Sequence, residues 1–196
     1  ALYANTTGVY NVAVGYQALT ANTVGDRNTA LGNSALSHNT TGQYNTAVGR
    51  AALESNVIGS NNVAVGTASL NNNTANNNTA VGFQSMYVNT TGISNTAVGY
   101  IALGSNTSGN YNSALGQQAL NSNTTGSGNT AVGYQAGYSN TTGNFSAFGY
   151  QALTANTTGY SNSAFGAASL TSNTTGIANT AVGEGSLHAN TTGAYN

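Results

Sequence analysis

The chain is a tandem array of one unit, N-T-A-V-G-Y-Q-A-L-x-x-N-T-T-G-x-x, which recurs about every 17 residues along the whole sequence. The unit interval is 17 residues except at Gly66 to Gly82 and Gly133 to Gly149, where it is 16. The glycine at the fifth position marks the copies: Gly15, Gly32, Gly49, Gly66, Gly82, Gly99, Gly116, Gly133, Gly149, Gly166 and Gly183. So short a unit cannot hold a helix-turn-helix repeat, which needs more than about 30 residues. Its Gly, Asn and Thr are also poor helix formers.

The unit instead fits one coil of a parallel β-solenoid. We place one strand at Asn-Thr-Ala-Val-Gly, a second around Gln-Ala-Leu, and a wide turn at Asn-Thr-Thr-Gly, whose glycine can take positive φ. Coils about 4.8 Å apart would stack into a rod of about 55 Å. The predicted fold class is therefore an all-β solenoid (β-roll) of about eleven 17-residue coils, packed or intertwined as a homotrimer. Residues 1–196 form a single array with no separate globular domain, and its opening partway through a unit indicates a fragment of a longer fibre.

The two 16-residue copies show where the unit tolerates a deletion. One carries Asn76-Asn77-Asn78 and the other Asn144-Phe145 in place of the usual Gly and variable residues. We interpret both as losing a residue at the same place, so the variable tail of the unit is predicted to be a surface turn.

The third position is always Ala, the fourth is Val, Leu or Phe, and the ninth is Leu except at Met86 and Gly137. Strand alternation sends Ala and Gly to one face and Val to the other. We expect Val and Leu to fill a thin interior and the bare Ala/Gly face to admit another backbone. That backbone is either the coil's opposite wall or a second chain, and a second chain is favoured because a lone narrow roll buries little surface. The predicted packing residues are Ala13, Val14, Gly15, Ala47, Val48, Gly49, Ala97, Val98, Gly99, Ala131, Val132 and Gly133.

Composition excludes several functional classes. Only 3% of residues are charged, against about 25% in ordinary proteins, and two Arg residues cannot neutralise many phosphates of a nucleic acid. No apolar stretch approaches the roughly 18 residues of a membrane span. Without Cys there is no thiolate metal site, and three scattered carboxylates cannot cage Ca²⁺. We expect no cofactor and no metal.

Catalysis needs a nucleophile, a base and an orienting group in one place. His38 follows Ser37, and His188 lies two residues after Ser186, yet neither histidine has an acidic residue beside it in the sequence. Both histidines sit at variable positions. We therefore expect solvated turn residues and no enzyme.

The twelfth position is always Asn, and two interpretations of it stay open. Its side chains could form an amide ladder in which each bonds to the next coil. Alternatively they could carry N-glycans, since most of them begin an N-x-S/T sequon. Asn22 and Asn56 share the position, but Val24 and Ile58 break their sequons. The candidate residues are Asn5, Asn39, Asn89, Asn106, Asn123, Asn140, Asn156, Asn173 and Asn190.

Exposed aromatics suit contact with carbohydrate or protein. Tyr16, Tyr100, Tyr134 and Tyr150 share the sixth position, but other coils carry Asn33, Arg50, Thr67 or Glu184 there, which favours surface cover or lateral fibre contact. An ice-binding solenoid is a rival class, since Thr recurs at the second and thirteenth positions. Adjacent Thr-Thr pairs point to opposite sides, however, and make no double file on one strand.

The Asn-Thr-Ala-Val-Gly-x-x-Ala-Leu core, as at Ala13-Val14-Gly15, resembles the head repeats of trimeric autotransporter adhesins along the whole array. Those repeats share an Asn-Ser-x-Ala-Ile-Gly-x-x-Ala core and form a left-handed parallel β-roll intertwined as a trimer. Their period is shorter, and the Asn-Thr-Thr-Gly insertion lengthens the turn here. The sequence Asn-Thr-Ala-Val-Gly-Tyr-Gln-Ala-Leu also resembles the repeat shafts of tail-fibre-like proteins. Both resemblances imply an extracellular, cell-surface or virion fibre that self-associates and attaches to surface glycans or a host receptor.

Overall fold

The computed structural model describes residues 1–196 and contains eleven short β-strands and no helix. The strands are β1 Val12–Val14, β2 Thr29–Leu31, β3 Thr46–Val48, β4 Val63–Val65, β5 Thr79–Val81, β6 Thr96–Val98, β7 Ser113–Leu115, β8 Thr130–Val132, β9 Phe145–Phe148, β10 Asn162–Phe165 and β11 Thr180–Val182. Each strand pairs in parallel with the next, so the order in the sheet is the order in the chain. This confirms the predicted all-β solenoid. A bilayer-spanning helix, long and apolar, is not found.

Equivalent residues of successive coils stack on one another. Ala13 lies opposite Ala30, and Ala30 opposite Ala47, and the backbone between them is hydrogen-bonded, as where Thr29 N donates to Asn45 O at 2.8 Å. Each position of the unit therefore forms a column along the rod, which we name by its place in the unit, first to seventeenth. Where the unit repeats the same residue type, as in the third column, stacking makes the column a chemically uniform line.

The third-column alanines face the interior and the fourth-column residues face outward, the reverse of our prediction. Ala47, Ala97 and Ala131 are fully buried, and Ala13 partly, whereas Val14 is 55% exposed. The fourth-column Val48, Val98 and Val132 lie on the same outward side, as strand alternation requires. Ninth-column leucines join the alanines in one buried cluster. Because leucine already occupies the narrow interior, the strand facing it has room only for a methyl group.

The fifth-column glycines permit a close backbone approach, as predicted, but the approaching backbone is the next coil of the same chain. Gly15 has φ 130°, and a Cβ added to it would lie 2.5 Å from the carbonyl oxygen of Gly32. Gly49, Gly99 and Gly133 repeat this arrangement. Both the positive φ and the approach exclude a side chain at this position.

The Gln-Ala-Leu segment is a run of turns and not the predicted second strand. Gln17 and Leu19 both have positive φ, 56° and 48°, a conformation that costs non-glycine residues roughly 1–2 kcal/mol each. It persists because the backbone bonds to the neighbouring coil, with Leu19 N donating to Ala35 O at 3.0 Å, while the Leu19 side chain is fully buried.

The two short coils, 62–77 and 129–144, lose different residues, so the prediction of a shared deletion site was wrong. In coil 62–77, Ala75 O accepts from Asn62 Nδ2 at 2.8 Å, the role of glycine in other coils, so a threonine of the Asn-Thr-Thr-Gly turn is missing. In coil 129–144 the last tail residue is missing, and Phe145 consequently pairs with Asn162 in the first column.

Candidate functional site: asparagine ladders and the outer sheet face

The twelfth-column asparagines form a hydrogen-bonded ladder. Asn22 Nδ2 donates to Asn5 Oδ1 at 2.8 Å and to the Gly25 carbonyl at 3.0 Å, and Asn39 repeats this on Asn22. Both amide hydrogens of such a rung are therefore used. Of the nine asparagines that could carry an N-glycan, seven have no exposed surface: Asn39, Asn89, Asn106, Asn123, Asn140, Asn156 and Asn173. Asn5 and Asn190, in the outermost coils, are half-buried.

A second ladder runs through the first column, and sequence reasoning missed it. Asn45 Nδ2 donates to Asn28 Oδ1 at 3.1 Å and to the Gly59 carbonyl at 2.8 Å, while Asn45 N donates to Asn28 Oδ1 at 3.0 Å. The available signal was the near-constant Asn that opens each unit, which we had assigned only to a strand.

The two ladders meet at the carbonyl of the fifteenth-column glycine. Gly59 O accepts from Asn45 at 2.8 Å and from Asn56 at 2.9 Å. A buried amide that keeps its hydrogen bonds contributes about 1 kcal/mol per bond, whereas an orphaned one costs about 1–3 kcal/mol. The interior therefore combines two columns of hydrogen-bonded amides with the Ala and Leu columns, and each amide is satisfied where its rung stays in register.

The outward side chains of the second and fourth columns in β1–β11 form what we call the outer sheet face. Its fourth column is apolar throughout. Six of its eleven residues are exposed, with Leu115 at 49%, and the other five are half-buried. Its second column is Thr or Ser in every strand except β1 and β4, which carry Val12 and Val63. The result is an uncharged stripe of methyl and hydroxyl groups along the entire sheet.

Aromatic side chains of neighbouring coils stack in pairs along the rod. Phe148 and Phe165, in the fourth column, have centroids 5.0 Å apart and planes 6° apart. In the sixth column, Tyr134 stacks on Tyr150 at 5.3 Å. In each pair, every ring covers one face of its neighbour, which leaves fewer free ring faces for stacking against a ligand.

The seventeenth column holds the one guanidinium that stacks between aromatic rings. The Arg27 guanidinium lies 5.2 Å from the Tyr10 ring centroid and 5.3 Å from that of Tyr44, in the coils on either side. Its Nη1 also donates to the Tyr44 hydroxyl at 3.1 Å.

Ser37, His38 and Glu54 border a surface cavity of about 240 Å³, and this is the arrangement closest to a nucleophile and base. His38 Nδ1 lies 2.9 Å from the Glu54 backbone carbonyl and 3.3 Å from Ser37 Oγ. Because the carbonyl can only accept, Nδ1 carries the hydrogen and cannot take a proton from Ser37. The second histidine, His188, is exposed. No three His, Cys, Asp or Glu residues come together as they would to hold a metal.

Comparison with known proteins adds no relative: no family model, no curated protein and no solved structure matches the chain.

Proposed function

We propose that this chain is a non-catalytic structural rod, the shaft of an extracellular or virion-borne fibre that supports attachment to a surface. The observation that carries the proposal is the outer sheet face, an uncharged stripe that runs the length of an eleven-stranded sheet. Because each coil contacts only its neighbours, the stability of such a rod is spread coil by coil along its length.

The partner of the outer sheet face, in this proposal, is another copy of the chain. A continuous file of partly or fully exposed apolar side chains along a sheet favours an interaction site. The stripe repeats once per coil, so a partner that matches it from β1 to β11 needs the same repeat. A second and third copy in register have that repeat, and the resemblance to trimeric adhesin repeats supports three.

Sedimentation equilibrium, together with mass per unit length measured by scanning transmission electron microscopy, tests this proposal. We expect the parent to form trimers, and a variant with Val81, Val98 and Leu115 changed to Asp to sediment as a monomer. The control carries Asp at Thr91, Ser108 and Thr125, which are exposed in the turns of the same coils, and should stay trimeric. A parent that is monomeric at all concentrations, or a control that dissociates equally, contradicts the proposal.

Attachment is tested separately, because a rod can assemble without binding a surface. Beads coated with assembled parent should adhere to cells or glycan arrays, and the monomeric variant should show how far adhesion needs the assembled form. The adhesin and tail-fibre alternatives share this rod. They differ in whether a cell surface or a virion displays it.

Ice binding is a second candidate that one observation favours. The second-column hydroxyls lie on the same outward face as the fourth-column methyl groups, as at Thr96 and Val98. Regular hydroxyl and methyl files can order water. Thermal hysteresis and inhibition of ice recrystallisation measure the activity directly. Loss of that activity on changing Thr79, Thr96 and Thr130 to Tyr would assign it to this face, and a parent without activity removes the candidate.

A further inference from the structure

The chain contains twelve N-x-S/T sequons, and the structure divides them sharply. Nine belong to the twelfth-column ladder described above. The other three begin at Asn72, Asn77 and Asn144. Asn77 and Asn144 are exposed and Asn72 is half-buried.

A glycan on a ladder asparagine would replace a hydrogen on the nitrogen that holds the ladder together. Asn106 Nδ2 donates to Asn89 Oδ1 at 2.7 Å and to the Gly109 carbonyl at 3.0 Å, and Asn106 is fully buried. The sugar would have no path to solvent, and rungs about 4.8 Å apart leave no room between coils. N-glycans are bulky groups that require a surface position.

We propose that N-glycosylation of the twelfth column and the solenoid fold are mutually exclusive. An enzyme that transfers glycan must reach an accessible Asn-x-Ser/Thr segment, which the seven fully buried ladder positions offer only while the chain is unfolded. A chain modified there loses ladder bonds at every occupied rung and cannot close its coils. The chain therefore reaches its fold only where no N-glycan is transferred to the unfolded polypeptide.

The chain supplies its own controls for this inference. Asn77 and Asn144 lie outside both ladders, and Asn144 uses only its Oδ1, which accepts from Ser161 N at 3.3 Å. A glycan at either position leaves every ladder bond in place. Two coils also show how to remove a sequon without touching its Asn, because Val24 and Ile58 stand at the fourteenth column, 43% and 63% exposed.

The test directs the chain through a eukaryotic secretory pathway that transfers N-glycans. Three samples are compared: the parent, the parent with an inhibitor of N-glycan precursor synthesis, and a variant whose nine fourteenth-column hydroxyl residues are changed to Val. Those residues, all exposed, are Thr7, Thr41, Thr91, Ser108, Thr125, Thr142, Thr158, Thr175 and Thr192. Site-resolved mass spectrometry locates the glycans, and protease resistance with β-type circular dichroism reports folding.

We expect the parent to carry glycans at ladder positions and to be protease-sensitive, with at least a tenfold shorter lifetime under protease. The inhibitor should restore resistance without any mutation. The variant should be resistant while carrying glycan at Asn77 or Asn144. A protease-resistant parent that carries glycan at its fully buried ladder positions overturns the proposal. A resistant parent whose ladder positions are unmodified supports it, because fold and glycan then still exclude each other. An inhibitor that fails to restore resistance also overturns it, because glycans are then not what blocks folding.

Discussion

Coils 62–77 and 129–144 are each one residue short, and the array accommodates the two losses differently. In coil 62–77 the loss falls in the turn, so Asn73 Nδ2 donates only to Ala75 O, at 2.8 Å. The rung to the preceding coil is missing, and Asn56 Oδ1 is buried without a hydrogen-bond partner. The apolar columns pass this coil unchanged, since Leu70 is fully buried.

At coil 129–144 the ninth column lacks its large apolar side chain, and an apolar residue replaces Asn in the first column of the next coil. The ninth column carries Gly137 where other coils have Leu or Met. The tail deletion places Phe145 in the first column, and its ring fills the space beside Gly137, where an added Cβ would collide with it. Phe145 N still donates to Asn129 Oδ1 at 3.1 Å, so the backbone keeps its rung.

The comparison shows which property the solenoid conserves. Interior volume is kept at coil 129–144 by exchange between two columns, whereas coil 62–77 tolerates an orphaned amide oxygen. A cavity the size of a leucine side chain costs about 2–5 kcal/mol, and one unsatisfied buried acceptor about 1–3 kcal/mol. The larger penalty is the one that the sequence avoids.

The largest effect is expected from separating Gly137 from Phe145. Changing Phe145 to Asn should destabilise the array by about 3–5 kcal/mol, because it empties the interior beside Gly137. Changing Gly137 to Leu alone should cost about 1–3 kcal/mol through overpacking against the ring. The double variant should approach the parent in stability, since Gly137 has φ 59° and Leu120 already adopts 52°.

Urea unfolding followed by circular dichroism gives the double-mutant cycle, with hydrogen exchange locating the change in coils 129–144 and 145–161. Coupling of more than about 2 kcal/mol supports the exchange between columns. Additive single effects would show that the two departures from the repeat are independent.

The repeat predicted the fold class because its period, its glycines and its small residues agree on a stacked coil. It could not predict which strand face is interior. Alternation places Ala47 and Val48 on opposite faces of the strand but does not say which face lines the interior. That depends on the Leu53 side chain, which fills the interior from a turn residue with positive φ. Leucine in that conformation is uncommon, so the pattern favoured a second strand that the structure lacks.

The candidate site was predictable where a column is uniform and not where the register changes. The twelfth column was recognised as a possible ladder from its constant Asn. The first-column ladder was overlooked because its Asn adjoins a strand and was assigned to that strand. The place of Phe145 could not be read from the sequence, since a missing residue can be assigned to either side of Asn144, and only the pairing with Asn162 decides.

A smaller effect distinguishes the intact ladder from its interruption. Changing Asn106 to Ala should cost about 3 kcal/mol, because it orphans both Asn89 Oδ1 and an Asn123 amide hydrogen. Changing Asn56 to Ala should cost about 2 kcal/mol, because nothing donates to Asn56 Oδ1 and only Asn39 Oδ1 is left unpaired. The two cavities are alike, so the difference reports the rung. Equal losses in urea unfolding would mean that the ladder acts through packing alone.

The smallest effect is a gain of stability from restoring the missing rung. Inserting a threonine after Thr74 and changing Ala75 to Gly rebuilds the Asn-Thr-Thr-Gly turn, and should bring Asn73 Nδ2 to Asn56 Oδ1. The glycine is needed because a Cβ at the equivalent Gly59 would collide with Asn56 Oδ1. One recovered hydrogen bond to a formerly orphaned acceptor should add about 1 kcal/mol, while one extra loop residue costs much less. Slower amide exchange confined to coils 45–61 and 62–77 checks the result, with the same insertion after Thr107, in an intact turn, as the destabilising control. If both insertions destabilise equally, coil 62–77 is already at its optimum and its orphaned oxygen carries no penalty.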